Sequence, residues 1–462
     1  MNITYEILRS WACREGTVTS NDEILEWIKS RNETLKVNIT KVPFSYDGFW
    51  YYDETDGMVR NRKNSFFQLS GYEEIEDGKT VNEQPVIIQD EIGYLGIICR
   101  KINGVWNFLM QAKIEPGNIN VIQVSPTIQA TKSNFTRAHG GKSPLYLEYF
   151  ERSGQYPLIL DQVQSEQSSR FYKKRNRNIM IYVDEEIPVE SSHRWMTLGQ
   201  IKELMKYDNL VNMDSRTVLS GIPLRREDLS EEEYREVQEL FNDKALCRSM
   251  FEGTDLTMEH ILFNCVNNHK MLDNRKSRLK PLKDLKDWDM TETEIVCRYP
   301  YDYKVVYCSI EIEGREVRFW DQPLVEANGI MVLGLFTSVM DGVRKFLVKV
   351  RHEPGCFDTA ELSPSVQLEP SNPRTKLDSA EKLFLEKLER KDGVMKDVIL
   401  SEEGGRFYHE QNRNVILEVR GEELPDLPED YYWVDYRTLN TMIRFNNVMN
   451  IQLRNLLSIL DL

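Results

Sequence analysis

The chain contains an internal duplication, and this feature constrains the fold more than any other. Residues 43–50 resemble residues 281–288, and the segment that begins at Gln84 resembles the segment that begins at Gln322. Matching positions lie 238 residues apart without a gap, as from Pro85 to Pro323. Because a duplicated segment folds into the same structure twice, we interpret the chain as two related modules.

Identical residues extend this repeat through most of each copy. The pairs at this spacing include Leu95 and Leu333, Gly104 and Gly342, Phe108 and Phe346, Pro116 and Pro354, Ser125 and Ser363, and Gln129 and Gln367. The spacing falls to 236 residues between Arg170 and Arg406, which indicates a two-residue deletion, and returns to 238 between Trp195 and Trp433. The repeat therefore covers roughly residues 43–220 and 281–458.

The pattern predicts an α+β fold made of two copies of one mixed sheet with flanking helices. We expect a helical lead-in at 1–42, a first module at 43–220, a charged helical connector at 221–280 and a second module at 281–462. In the first module, alternating apolar residues predict strands at 93–101 and 105–114, joined by a turn at Asn103 and Gly104.

Composition and charge exclude several classes of protein. The chain has 462 residues, of which 40% are hydrophobic and 29% charged, as in globular proteins with more than one domain. Its 74 acidic and 59 basic side chains give a net charge of −15, which argues against nucleic acid and membrane lipid as partners. We find neither a leader sequence nor an apolar run of membrane-spanning length, so we expect a cytoplasmic protein.

The seven cysteines form no CxxC pair, and most have apolar neighbours, so we expect reduced core thiols. His260, Cys265 and His269 have a spacing that loosely resembles a zinc site on a helix. No second pair of ligands follows them, and Cys265 falls opposite Trp27 in the repeat, as a packing position would. We therefore predict no metal site.

Two adjoining polar strand faces are candidate binding surfaces. Gln111, Lys113 and Glu115 alternate with apolar residues and share one face. The next stretch places Gln123, Ser125, Thr127, Gln129 and Thr131 on a second face. These faces are either the solvent side of a sheet or a surface that binds hydroxyl groups, for which amide and hydroxyl side chains are suited.

A basic cluster and a glycine-flanked loop supply further candidates. The basic cluster consists of Arg170, Lys173, Lys174, Arg175 and Arg177, and it is either a phosphate clamp or the solvated start of a strand. Asn176 lies within it and either binds ligand or fixes a turn. The loop contains Ser133, Asn134 and His139, and Tyr146 and Tyr149 follow it. These residues offer hydrogen bonds and proton transfer, although a loop histidine is often only exposed to solvent.

Five long strings resemble the NDP-hexose 2,3-dehydratase family. They begin at Gln84, Phe108, Gln123, Tyr146 and Asp208, and read QPVIIQDEIGYLG, FLMQAKIEPGN, QVSPTIQAT, YLEYF and DNLVNMDSRTVL. The resemblance spans nearly the whole chain and includes the duplicated layout. It implies two Nudix-like modules, a homodimer, a dTDP-4-keto-6-deoxyglucose type of substrate in deoxysugar biosynthesis, and functional coupling to a 3-ketoreductase.

The implied reaction removes water across carbons 2 and 3 of the sugar and needs no cofactor. The 4-keto group acidifies the hydrogen on carbon 3, so a base, a group that holds the enolate and an acid suffice. We expect Lys113 to stabilise the enolate and Glu115 or His139 to move protons, with Gln111 beside them. The expected substrate-binding residues are Gln123, Ser125, Gln129, Thr131, Ser133, Asn134, Tyr146, Tyr149, Arg170, Arg175, Asn176 and Arg177.

The second copy departs from the first at these positions, since Lys349 and Arg351 replace Gln111 and Lys113. We therefore expect catalysis in the first module, and a structural role or a residual nucleotide site in the second. Replacement of Lys113 by Met tests this assignment.

Two other functions remain open on the sequence. A Nudix pyrophosphatase motif is nearly complete at Gly221, Glu227, Arg235, Glu236 and Glu239, but Leu240 and Asn242 replace a required carboxylate and glycine. We interpret this segment as a charged helix. The other alternative is a non-catalytic protein that binds a sugar nucleotide.

Overall fold

The protein consists of two similar halves that mix helices and strands. A computed structural model describes residues 2–44, 48–132, 143–253, 257–313, 317–370 and 376–462. The described helices are α1 Ile3–Ala12, α2 Asn21–Thr34, α3 Leu147–Glu151, α4 Leu198–Leu204, α5 Met213–Ser220, α6 Glu231–Leu240, α7 Lys244–Phe251, α8 Met258–Leu272, α9 Ser379–Arg390, α10 Tyr436–Met442 and α11 Ile451–Ser458.

The strands of the two halves follow a common order, except that the short strand Phe171–Tyr172 corresponds to an isolated bridge at Phe407 in the second half. Those up to the first repeat's end are β1 Val37–Lys41, β2 Trp50–Asp53, β3 Met58–Asn61, β4 Gln68–Glu76, β5 Lys79–Ile88, β6 Gly93–Ile102, β7 Val105–Ile114, β8 Ile122–Ser125, β9 Ile128–Ala130, β10 Leu158–Ser165, β11 Phe171–Tyr172, β12 Arg175–Tyr182 and β13 His193–Met196. The later ones are β14 Lys276–Lys280, β15 Trp288–Met290, β16 Glu294–Cys297, β17 Tyr303–Ile312, β18 Phe319–Ala327, β19 Met331–Met340, β20 Val343–His352, β21 Ala360–Pro364, β22 Val366–Leu368, β23 Val394–Ser401, β24 Gln411–Glu418 and β25 Tyr431–Asp435.

Each half has a seven-stranded sheet with the same topology. The first runs β10-β12-β6-β7-β13, with β8 paired to β7 and β9 paired to β6. The second runs β23-β24-β19-β20-β25, with β21 paired to β20 and β22 paired to β19. β12 is parallel to β6, and β24 to β19, whereas the other pairs are antiparallel. This repeated mixed sheet confirms the predicted duplication and the α+β class.

The central hairpin of the first sheet forms as its sequence predicts. β6 and β7 are joined by Asn103 and Gly104, which have φ angles of 53° and 80°. Such left-handed angles are those of a tight hairpin turn, and asparagine and glycine adopt them at low cost. β8 then pairs with β7 so that Ser125 lies opposite Gln111, and Gln123 opposite Lys113. The two predicted polar faces are therefore adjacent in the sheet.

Each half also has a smaller sheet. One strand of that sheet comes from the segment that precedes the repeat of the other half. β1 precedes the first repeat, yet it pairs with β17 of the second half. β14 precedes the second repeat, yet it pairs with β4 of the first half. The lead-in and the connector, which we predicted as helical, thus each also contribute a strand. This exchange ties the two halves together through backbone hydrogen bonds.

The repeated Glu-Pro-Gly loops dock each half against the other. The backbone N–H of Gly117 donates to the carbonyl of Gly404 (2.7 Å), and the N–H of His409 donates to the carbonyl of Gly117 (2.9 Å). In the other direction, the N–H of Lys173 donates to the carbonyl of Gly355 (2.7 Å). A Cβ atom at Gly117 would lie 1.5 Å from the carbonyl oxygen of Phe407. The close approach of the two backbones therefore requires glycine here.

Two buried arginines on equivalent helices also cross between the halves. Arg216 on α5 donates to the carbonyl of Ser401 (2.6 Å), at the end of β23. Arg454 on α11 donates to the carbonyl of Ser165, at the end of β10. Both side chains are almost fully buried, so these bonds satisfy donors that have lost contact with water. They hold the segments that follow β10 and β23 against the opposite half.

The largest apolar core is continuous across both halves. It contains Ile97 and Met180 of the first sheet together with Leu335 and Ile416 of the second. A core shared in this way buries apolar surface that each half alone would expose. Among the described residues, the search for an 18-residue apolar helix that would cross a lipid bilayer gave no match.

Substitution of Gly117 tests the contact between the halves. We expect Gly117→Ala to lower the free energy of unfolding by at least about 2 kcal/mol, because its methyl group would overlap the Phe407 carbonyl. Gly154→Ala is the matched control, since a Cβ atom there meets nothing within 4 Å, and its effect should stay within about 0.5 kcal/mol. Equal denaturation midpoints for the two variants in urea would contradict the docking role of Gly117.

Candidate active site

A cavity of about 460 Å³ lies between the first seven-stranded sheet and segments of the second half. Its volume is within the range of small-molecule sites. The polar and charged side chains that line it are Asn61, Lys63, Gln89, Lys113, Glu115, Gln129, Thr131, Glu166, Lys174, Asn176, Asp214, Asp321, Gln322, Glu403 and Arg406. Residues of both halves therefore line the cavity.

The polar face of β7 forms one wall. Lys113 and Glu115 alternate with the buried Ala112 and Ile114, so strand geometry aims both charged groups at the cavity. The Lys113 ammonium donates to the backbone carbonyl of Gln129 (3.0 Å). The Gln129 amide in turn donates to Oε1 of Glu115 (2.9 Å). These bonds fix the lysine and the carboxylate relative to one another.

The second half supplies the facing wall from the segment after β23. The Glu403 carboxyl is hydrogen-bonded to that of Glu115, and its Oε1 also accepts the N–H of Gly405 (2.9 Å). The buried Arg406 guanidinium lies over the Phe66 ring, 4.0 Å from its centroid, and donates to Gln89 (3.1 Å). The segment thus brings an acid and a cation onto the first half's sheet.

Several carboxyl groups of the cavity are shifted towards their neutral forms. Burial, and then the charge of Glu166, raise the pKa of Asp214 well above its usual range. Burial, and then the neighbouring Glu115, raise the pKa of Glu403 to about 8. Burial also lowers the pKa of Lys174 to about 8. Groups that titrate near neutrality in a cavity are typical of proton-transfer sites.

An aromatic cluster borders the charged part of the cavity. Phe49, Trp50 and Phe66 come from the first half, and Phe319 and Trp320 from the second. The indole N–H groups of Trp50 and Trp320 are held by the Asp321 carbonyl (2.5 Å) and the Gln322 side chain (2.7 Å). The cavity therefore offers flat apolar surfaces beside cations, an arrangement suited to a ligand with a ring and anionic groups.

Comparison with known proteins identifies the family. The sequence profile described as NDP-hexose 2,3-dehydratase matches residues 21–222 and 261–460. A protein of Streptomyces violaceoruber is 37% identical over 94% of this chain and 95% of its own, and one of Saccharopolyspora spinosa is 36% identical over 94% and 89%. A third, from Amycolatopsis orientalis, is 32% identical over 98% and 93%. All three are named dTDP-4-dehydro-6-deoxy-alpha-D-glucopyranose 2,3-dehydratase.

The chain belongs to the NDP-hexose 2,3-dehydratase family. The profile matches twice, once in each half, in agreement with the duplication that the sequence shows.

Of the site residues predicted from the sequence, five line the cavity, namely Lys113, Glu115, Gln129, Thr131 and Asn176. Lys113, Gln129 and Asn176 belong to β7, β9 and β12, while Glu115 directly follows β7 and Thr131 directly follows β9. Lys113 and Glu115 were predicted as catalytic, and the other three as binding residues. The structure thus brings these five together in one place.

The other strand-face candidates lie next to the cavity lining and contact protein. Gln123 is buried and donates to the Ser401 hydroxyl (2.6 Å), and Ser125 contacts Gln111 (3.4 Å). The second half therefore covers this face at Gln123, whereas Ser125 is buried against its own sheet.

The aromatic candidates lie on the same face of the sheet as Lys113, but they pack outside the residues that line the cavity. Tyr146 is buried in a separate apolar cluster, against which Tyr149 packs, and its hydroxyl donates to the Pro188 carbonyl (2.9 Å). Ser133, Asn134 and His139 lie outside the described residues.

The basic cluster does not gather as one clamp. Arg170 is buried against the second half, where it pairs with Glu369 (2.9 Å). Arg175 lies over the Phe357 ring, 3.7 Å from its centroid, and Arg177 pairs with Asp161 (2.6 Å). Lys174 is the member that lines the cavity. The arginine that lines the cavity is Arg406, which the sequence identified only as the repeat equivalent of Arg170.

Two features outside the cavity were also singled out by sequence. Arg235, Glu236 and Glu239 are exposed on α6, in agreement with a charged surface helix. Cys265 belongs to the apolar core, as its repeat position predicted. His269 lies near it but pairs with Asp430 (2.9 Å).

Substitution of Asp214 tests the electrostatics of the cavity. A carboxyl whose pKa is raised by folding makes the protein less stable as pH rises from the unfolded-state pKa towards the folded-state pKa. We therefore expect Asp214→Asn to gain stability relative to the parent protein between pH 5 and 7, by up to about 1.4 kcal/mol per pH unit.

The difference is measured by urea denaturation at a series of pH values. Asp77→Asn, on an exposed turn, is the control and should show a constant difference. A pH-independent difference for Asp214→Asn as well would mean that the carboxyl is charged in the folded protein.

Proposed function

We propose that the protein removes water across carbons 2 and 3 of dTDP-4-keto-6-deoxyglucose, and that the cavity between the halves is the active site. The product is a nucleotide-linked 3,4-diketo-2,6-dideoxyhexose, an intermediate of deoxysugar biosynthesis. The observation that carries the proposal is the fixed network of Lys113, Gln129 and Glu115 in this cavity. The names of the three relatives support the substrate.

The first step breaks the bond between carbon 3 and its hydrogen. The 4-keto group acidifies this hydrogen, and Glu115 is placed to accept it as a proton while the electrons pass to the ketone oxygen. Lys113 stabilises the resulting enolate, because a cation held by protein contacts does not have to reorganise as charge develops. The enolate then expels the carbon 2 hydroxyl, and the enol product relaxes to the diketone.

The nucleotide end of the substrate fits the other part of the cavity. Lys63, Lys174 and Arg406 line it and provide positive charge for a diphosphate in a protein of net charge −15. The aromatic cluster that contains Phe66 and Trp320 offers stacking surfaces for thymine. In this proposal Lys63, Lys174 and Arg406 bind the diphosphate, in place of the clamp of Arg170, Arg175 and Arg177 that the sequence predicted.

We also propose a fold for each half, an oligomeric state and a functional partner. Each half is a Nudix-like module, which its mixed sheet with flanking helices supports. The active protein is a homodimer. It is coupled functionally to a 3-ketoreductase, because a 3,4-diketone is reactive and its reduction at carbon 3 draws the reaction forward.

Turnover of the proposed substrate is the first test. Incubation with dTDP-4-keto-6-deoxyglucose and a 3-ketoreductase should give a nucleotide sugar that has lost the carbon 2 oxygen, as read by mass spectrometry. Magnesium-dependent release of nucleoside monophosphate would instead indicate a pyrophosphatase. Binding without conversion would indicate a non-catalytic sugar-nucleotide protein.

Substitution of Lys113 tests the enolate step. We expect Lys113→Met to lower kcat by about 100- to 1,000-fold, because the developing negative charge loses its cation. Arg351→Met changes the equivalent residue of the second half and serves as the matched control, with turnover close to that of the parent protein. Full turnover by Lys113→Met would remove the lysine from this role.

A further inference from the structure

The duplication permits a residue-by-residue comparison of the cavity with its counterpart in the second half. At the repeat spacings, Thr131 corresponds to Glu369, Lys174 to Glu410, and Glu403 to Gln167. The cavity therefore receives an acid and an arginine from the other half, Glu403 and Arg406. The counterpart receives an amide and an arginine, Gln167 and Arg170.

The arginine of the counterpart is neutralised by carboxylates. Arg170 pairs with Glu369 (2.9 Å) and lies 3.6 Å from Glu410. Its side chain is about 1% exposed, and the Gln167 amide also contacts Glu410 (3.4 Å). In the cavity, the positions of these two carboxylates hold Thr131 and Lys174. The two halves thus differ at the residues that would bind an anion or transfer a proton.

The acid from the second half touches the proposed base directly. Glu403 and Glu115 are hydrogen-bonded through their carboxyl groups, and both line the cavity. A hydrogen bond between two carboxyl groups requires one proton, so the pair holds one acid and one base. Gln129 donates to Oε1 of Glu115 (2.9 Å), and the backbone N–H of Gly405 donates to Oε1 of Glu403 (2.9 Å). Burial, and then the neighbouring Glu115, raise the pKa of Glu403, so we assign the shared proton to Glu403.

We propose that Glu403, supplied by the second half, is the general acid that protonates the departing carbon 2 hydroxyl. This inference rests on the proposed function. Glu115 takes the proton from carbon 3, the electron pair forms the enolate, and the enolate forms the double bond between carbons 2 and 3 as the bond from carbon 2 to oxygen breaks. The proton of Glu403 joins the departing oxygen, which leaves as water.

The same pair completes the proton balance. After elimination, Glu115 carries the proton from carbon 3 and Glu403 is a carboxylate. Tautomerisation of the enol returns the pair to its first state, since Glu403 takes the hydroxyl proton on carbon 3 and Glu115 gives its proton to carbon 2. The pair holds one proton at the start and one at the end, so the cycle requires no external acid.

Glu403→Gln separates elimination from enolate formation. The amide keeps an oxygen to accept the Gly405 N–H, and the counterpart position already holds Gln167, so we expect the variant to fold. We expect its elimination rate to fall by about 100-fold or more. In deuterium oxide it should still exchange the carbon 3 hydrogen of dTDP-4-keto-6-deoxyglucose, seen by NMR as loss of that signal.

Three variants complete the test. Glu422→Gln, an exposed site in the same half, should eliminate at the parent rate. Glu403→Asp retains an acid and should recover part of the elimination rate that Glu403→Gln loses. Glu115→Gln should lose both elimination and exchange.

Full elimination by folded Glu403→Gln would overturn the assignment of Glu403 as the general acid. Loss of both hydrogen exchange and elimination in Glu403→Gln would also overturn it, because Glu403 would then be a base or a positioning residue. Failure of the parent protein to convert the substrate would refute the proposed function itself, and this inference with it.

Discussion

The backbone contact between the Glu-Pro-Gly loop of one half and the opposite half is the constraint on which the site depends. Gly117 exchanges hydrogen bonds with Gly404 and His409, so the chain between those residues is held against the first half's sheet. Arg216 anchors the preceding strand end at Ser401. Glu403 and Arg406 therefore reach the cavity because the halves are locked together, and either half alone would present an incomplete site.

This assembly concentrates charge at a cost in stability. Asp214 and Glu166 are buried, Glu403 is half-buried near them, and loss of contact with water raises the pKa of each. Carboxyl groups in such surroundings keep their protons to higher pH than usual, which disfavours folding as pH rises but provides acids for catalysis. In the counterpart region, Arg170 pairs with Glu369 and Glu410 and satisfies its own charge. The two equivalent regions therefore differ: carboxyl groups with raised pKa values line the cavity, whereas the arginine of the counterpart is paired with carboxylates.

Sequence analysis predicted the features that depend on local patterns. The repeat, the Asn103-Gly104 hairpin and the adjoining polar faces of β7 and β8 all follow from spacing and alternation. The exchange of β1 and β14 between the halves does not follow from the sequence pattern. A repeat shows which residues are equivalent, but it does not show which copy each residue contacts. For the same reason Arg170 was predicted for the first half's site, whereas it enters the second and Arg406 takes its place.

The central claim is that one cavity, built by both halves, holds the sugar. A crystal structure of the whole protein with dTDP-glucose, which lacks the 4-keto group and so is not dehydrated, tests it most directly. The account predicts the hexose between Lys113 and Glu403, with the diphosphate near Lys174 and Arg406. A hexose bound beside Arg351 in the second half, or away from Glu403, would contradict it.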